Sequence, residues 1–323
     1  MGMKVKRIAG TVGPIVAGAL ALAVGLAKPE KVRAEGDATE KNERCATRLS
    51  IAFLGKTPTA DLLASANPQD AVETLIADPA FVERFSRFIN SEFNPEPGMN
   101  EPEDASYFMT KYVLENNKPW KDMFVGQYDV QVTGTGNQAT AAIVADPDGL
   151  GYFRSRPWMV RYAGNELAGY RIVSAYRILQ NTTGLELTAT TAVEGQDLSS
   201  KGREAPACAG CHYQNWYALD KVARVLSIRT GPANNPTFTP PKDGPQQILG
   251  GQTINNDKEL VEALVNSENF RFNTCRLSFK FLYGRGESTC EGKVFDACMD
   301  AFNQKGTMQA AIAAVAKDPT FCQ

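Results

Sequence analysis

The segment PACAGCHYQNWYALDKVARVL, residues 206–226, holds two cysteines three positions apart. The only histidine among 323 residues follows directly after the second. Cys208, Cys211 and His212 stand at the spacing by which two thiols can add across the two vinyl groups of a porphyrin. The adjacent imidazole is then in place to supply an axial nitrogen to the iron. A chain built for this must enclose a flat apolar group, and that limits its fold more than composition does.

Three other uses of the motif compete. A zinc site needs two more ligands, and with no second histidine they would have to come from distant cysteines. A thioredoxin-like redox pair belongs at the end of a strand, which KGREAPA does not resemble. A Cys208–Cys211 disulfide would leave His212 idle. One covalently attached haem c is the preferred reading. If residues 208–226 are helical, His212, Trp216, Leu219, Ala223 and Leu226 share one face. Trp216 and Leu219 are then candidate haem-wall residues, and the same positions also suit an ordinary core. Bis-histidine coordination within one chain is excluded, so methionine is the first candidate for the far side of the iron. Met99, Met109, Met123, Met159, Met299 and Met308 qualify, and Met159, among aromatics, is the choice; a lysine, a water or a vacant position is the alternative.

The N-terminus supplies the cellular context. Lys4, Lys6 and Arg7 precede an uncharged stretch, residues 8–27, and Val32, Arg33 and Ala34 form a V-x-A phrase. This is the layout of a secretory signal peptide over residues 1–34, with an uncleaved N-terminal anchor as the alternative. Those residues carry five net positive charges. Against a formal −2 for the whole chain, the remainder from Glu35 carries seven negative ones. Such an acidic chain suits neither nucleic acid nor anionic lipid. Export to the bacterial periplasm or cell surface favours disulfides. Besides Cys208 and Cys211 there are Cys45, Cys275, Cys290, Cys298 and Cys322, enough for two bridges and one free thiol. The pairing is open at this stage.

The rest of the pattern is mainly α. Residues 35–200 read as a helical N-terminal region with a small β hairpin near 125–145. Residues 201–323 read as a cytochrome-c-like haem domain with a helical C-terminal part. Thr59 or Asp61 is expected to cap a helix. Asp78 and Pro79 restart another, carrying Phe81, Phe85, Phe88 and Ile89. Helices are also expected over 107–116, 157–180, 257–270, 274–283 and 293–304, with a last one from Thr307. Gly134, Gly136 and Ala139 have dinucleotide-fingerprint spacing, but no βαβ pattern surrounds them, so a hairpin turn is the better reading. Residues 227–251, rich in proline, read as a long loop. The ending AKDPTF echoes IADPAF at 76–81, as a faint repeat or a common helix-restart phrase.

REAPACAGCHYQNWYALD resembles the haem segment of the large secreted cytochrome-c-like proteins of planctomycetes and myxobacteria, although YQNWYALD departs from the Asp-Pro-x-Gly-like continuation usual there. DPAFVERFSRF, NKPWKDMFVGQYDV, the stretch ILGGQTINNDKELVEALVNSENFRFNTCRLSFKFLYGRG and AIAAVAKDPTF follow the family's order. The resemblance implies a mostly helical exported protein with haem attached at Cys208 and Cys211 and ligated by His212. It implies no substrate. The expectation is a monohaem c-type cytochrome that exchanges electrons with a redox partner protein. The alternatives are a haem enzyme with an open sixth position and a surface or assembly protein in which haem is a structural staple.

Overall fold

The computed structural model describes residues 30–94, 104–133, 140–155, 158, 162, 171–188, 195–231 and 237–323, with the backbone alone for 30–37 and 132. The chain divides into two units, Met1–Ala38 and Thr39–Gln323, and the second contains the hydrophobic core. The expected leader lies outside the described residues, apart from the backbone at 30–34. Among the described residues no helix is long and apolar enough to cross a membrane.

The architecture is mainly helical, with small two-stranded antiparallel sheets. In chain order the helices are α1 (Glu30–Leu54), α2 (Ala60–Leu63), α3 (Val72–Ala77), α4 (Pro79–Phe93), α5 (Ala105–Glu115), α6 (Asp122–Val125) and α7 (Ile172–Thr183). They continue with α8 (Pro206–Ala209), α9 (Leu219–Val225), α10 (Asp257–Val265), α11 (Glu268–Tyr283), α12 (Gly292–Lys305) and α13 (Met308–Lys317). The expected caps form. Thr59, rather than Asp61, accepts from the Leu62 amide at 3.3 Å. Asp78 accepts from the Ala80 amide at 2.7 Å with Pro79 at the first helical position. Asp318 and Pro319 repeat that arrangement at the turn Pro319–Cys322, where Asp318 accepts from the Thr320 amide.

Helix α11 is the axis of the core and packs against α7, α12 and α13. It begins earlier than expected because Ser267 caps it, which moves Phe270 out of the preceding helix, α10. Phe281 on α11 meets Phe85 of α4 edge-on at 5.0 Å and Phe81 at 5.8 Å. Residues on both sides of position 200 thus share one aromatic cluster; such pairs add about 1 kcal/mol each beyond area burial. Asn273 on α11 donates to the carbonyls of Asn181 and Thr182 at the end of α7. Gly184 stops α7 with φ at +70°, and a Cβ there would lie 2.6 Å from the Asn273 side-chain oxygen. Glycine answers both demands at once.

The hairpin expected near 125–145 is present as β1 (Tyr128–Thr133) against β2 (Thr140–Ala145), with Thr133 opposite Thr140. Gly134, Gly136 and Ala139 lie outside the described residues. The expectation of a structureless loop over 227–251 is corrected. Ile228–Thr230 (β3) pairs with Thr237–Thr239 (β4), and Gln246–Ile248 (β5) with Gln252–Ile254 (β6). Three-residue strands are too short to show alternation. The second hairpin nonetheless carries a glycine pair as its signal. Gly250 and Gly251 both take positive φ between QQI and QTI.

Two cysteine pairs stand at bonding distance, Cys45–Cys322 and Cys275–Cys298; Cys290 is free and exposed. The first joins α1 to the C-terminal turn across 277 residues. Arg48 lies beside it, over the rings of Tyr283 and Phe321. Closing so long a loop restricts the unfolded chain strongly, so Cys45→Ser should lower unfolding free energy by roughly 2–5 kcal/mol in a urea titration under oxidising conditions.

Glu291, before α12, accepts from the Ser288 amide at 2.8 Å and pairs with Arg285 at 2.6 Å. The hydrogen bond from Arg285 leads in lowering its carboxyl, ahead of the opposing effect of burial, from 4.5 to about 2. The folded value lies below the unfolded one, so this stabilisation is complete above the unfolded value and fades as pH falls. The stability gap between the native chain and Glu291→Gln should hold steady above about pH 5 and close as pH falls toward 2, read from urea midpoints.

Candidate functional site

The motif begins where Pro206 opens a single helical turn, α8. Its missing amide costs nothing at the first position. The backbone then widens into a π turn over Gly210–Gln214 and ends at an extended Asn215. π turns inside helices concentrate at functional sites. Cys208 lies on α8, half-buried, and Cys211 on the π turn, exposed; neither is in a disulfide. His212 follows on the same turn, its side chain one-fifth exposed.

The turn is anchored on both sides. The Tyr213 hydroxyl donates to the Ser200 carbonyl at 2.7 Å, and Arg224 lies over the Tyr213 ring. The Leu249 amide donates to the Trp216 carbonyl at 2.9 Å, tying the segment after the motif to the β5–β6 hairpin. The Tyr217 hydroxyl donates to the Cys211 sulfur at 3.4 Å and accepts from the Asn215 amide group at 3.0 Å. The contact with Cys211, then burial, pushes the Tyr217 phenol up.

The single helical face expected over 208–226 is corrected. The helix breaks at Asn215, restarts as α9 at Leu219 and ends before an extended Leu226. Leu219, Ala223 and Leu226 are buried in the core, whereas Trp216 is 38% exposed beside the motif and edge-on to Tyr217. Trp216 and Leu219 are close in sequence but differ in surroundings. Of the candidate sixth ligands, Met99 and Met159 lie outside the described residues. Met109, Met123 and Met308 are fully buried, and the sulfurs of Met123 and Met308 accept from Thr110 and Ser278. Met299 is partly buried against the core.

Two residues that the motif does not announce complete the site. His212 Nδ1 lies 2.7 Å from Asp220 Oδ2. Arg203 Nε and Nη2 donate to Asp220 Oδ2 and Oδ1 at 2.9 and 2.8 Å, a bidentate pair. Arg203 also donates to the Leu198 carbonyl. Asp220, in the first turn of α9, is 4% exposed. Burial by itself would push its carboxyl up; the hydrogen bonds and charges of Arg203 and His212 outweigh burial and hold it well below the usual carboxylate range. No sequence pattern marks this triad. Arg203 stands in a short turn and Asp220 eight residues beyond the histidine, and the broken helix brings them together.

Among the described residues no group of three or more His, Cys, Asp or Glu side chains converges to hold a bare metal ion. Comparison of the chain with protein-family models, curated proteins and solved structures finds no match.

Removing the carboxylate would leave the Arg203 guanidinium, 14% exposed, without its anionic partner. Asp220→Ala should therefore cost about 3 kcal/mol in urea denaturation, and Asp220→Asn, which keeps one carbonyl acceptor for the guanidinium, less.

Proposed function

We propose that this chain is a monohaem c-type cytochrome that carries electrons outside the cytoplasm. The observation that carries the reading is the division of the cysteines. Four sit in pairs at bonding distance, while Cys208 and Cys211 stay unpaired and solvent-accessible next to the sole histidine. These residues fit haem c. Two free thiols are available for thioether bonds. The imidazole has Nδ1 engaged, and Nε2 is without a partner among the described residues. The exposed Trp216 ring supplies apolar surface that a porphyrin plane would cover. The resemblance of REAPACAGCHYQNWYALD to secreted cytochrome-c-like proteins supports the same reading.

In this reading Cys208 and Cys211 would hold the macrocycle, His212 would ligate the iron, and Met159, outside the described residues, is the candidate for the sixth position. Bound haem supplies a one-electron ferric–ferrous couple. With Cys211 and Trp216 exposed, a haem held there would be reachable by a redox partner protein. Two disulfides are consistent with an oxidising compartment such as the periplasm or the cell surface.

Produced in a haem-attaching bacterial host, the native chain should show c-type absorption bands and keep its haem through denaturation. The double variant Cys208→Ser/Cys211→Ser should lose that covalent retention, while each single variant should keep haem through one thioether with shifted absorption bands. A native chain without covalently retained haem would overturn the reading. The ferrous spectrum should not shift under CO unless Met159→Ala opens the site; a rapid shift in the native protein would move the function from electron transfer to chemistry at an open iron.

A further inference from the structure

Asp220 forms an arrangement whose chemistry is more specific than structural support. Its carboxylate, as an anion, can only accept hydrogen bonds, and the Arg203 guanidinium can only donate them. Arg203 fills one site on each oxygen, at 2.9 and 2.8 Å. His212 Nδ1 reaches the remaining side of Oδ2 at 2.7 Å, and that contact is a hydrogen bond only with the proton on Nδ1. A neutral imidazole carries one N–H, so Nε2 is left with its lone pair.

We propose that the Arg203-clamped carboxylate of Asp220 is a positioning residue that fixes His212 as its Nδ1–H tautomer, aims Nε2 at the iron and lowers the iron's reduction potential. The last part rests on the haem reading; the tautomer does not. A carboxylate hydrogen-bonded to the far nitrogen makes an imidazole a stronger donor to a metal. A stronger donor favours the ferric iron, which carries one more positive charge. Arg203 tempers this but does not cancel it, because the carboxylate is in direct contact with the ring while the guanidinium lies behind it. The clamp also prevents the carboxylate from rotating away. Burial of Asp220 adds to the effect, since a charge at 4% exposure is poorly screened by water.

Because His212 is the only histidine in the chain, ¹⁵N-histidine labelling gives a single imidazole to observe. In the full chain made without haem attachment, the neutral form of the ring should carry its proton on Nδ1, and Nε2 should have the shift of an unprotonated nitrogen. Asp220→Asn should move the population toward the Nε2–H form. A native chain found mainly as Nε2–H would overturn the proposal, whatever the outcome for haem.

In the haem-loaded protein at a fixed ambient potential, Asp220→Asn should raise the ferrous-to-ferric ratio by about tenfold, a shift of about 59 mV for a one-electron couple. Asp220→Glu, which keeps the charge, should return the ratio toward the native value. A ratio within about twofold of native in Asp220→Asn, with c-type bands intact, or no recovery in Asp220→Glu, would sink the electronic role. Absence of covalent haem from the native chain would instead count against the proposed function and against the potential-setting role, with the tautomer measurement still deciding the first part.

Discussion

A carboxylate buried as deeply as Asp220 is stable only if its lone pairs are taken up. Arg203 and His212 take them up from two different segments, the turn at 202–204 and the π turn of the motif. The ion pair thereby folds the chain around itself. The segment before the motif, the motif and the helix after it converge on one side chain. The break at Asn215 belongs to the same arrangement. A continuous helix would place residues 212 and 220 eight positions and more than two turns apart, about 12 Å along the axis, too far for direct contact. Bringing them to 2.7 Å requires the chain to turn back between them.

The surrounding fold supplies a rigid frame for that small site. Helix α11 connects the aromatic cluster of α4 with the C-terminal helices, and the two cysteine pairs tie α11 to α12 and α1 to the C-terminal turn. The β5–β6 hairpin reaches the Trp216 backbone. The candidate site therefore lies on short irregular segments, each fastened to a regular element by one or two hydrogen bonds. This division between framework and site is common where a group must be held but also approached from solvent.

Much of the frame is legible in the sequence because local rules act over a few residues. Asp78 with Pro79, and Thr307, cap helices through contacts within three positions. Ser267 is hidden as a cap because the apolar pattern runs on across it. The hairpin at 128–145 shows itself by alternation. The short ladders at 228–254 escape, since three residues establish no period. The cysteine count allows two bridges and a free thiol among five, but the choice of Cys45 with Cys322 and Cys275 with Cys298 depends on distances between remote segments. Cys290, between the paired Cys275 and Cys298 in sequence, is left free and exposed, which no spacing records.

By itself the sequence determined the mainly helical class, the helix caps and the chemistry available at Cys208, Cys211 and His212, because each follows from residue type and spacing over less than two helical turns. Only the tertiary structure decided which cysteines pair, that the helix after the motif breaks, and that Asp220 and Arg203 stand behind the histidine. Those contacts join groups with no common period, and their energy arises from burial: the ion pair is worth forming, and has to be complete, because the core around α9 excludes the water that would otherwise satisfy it.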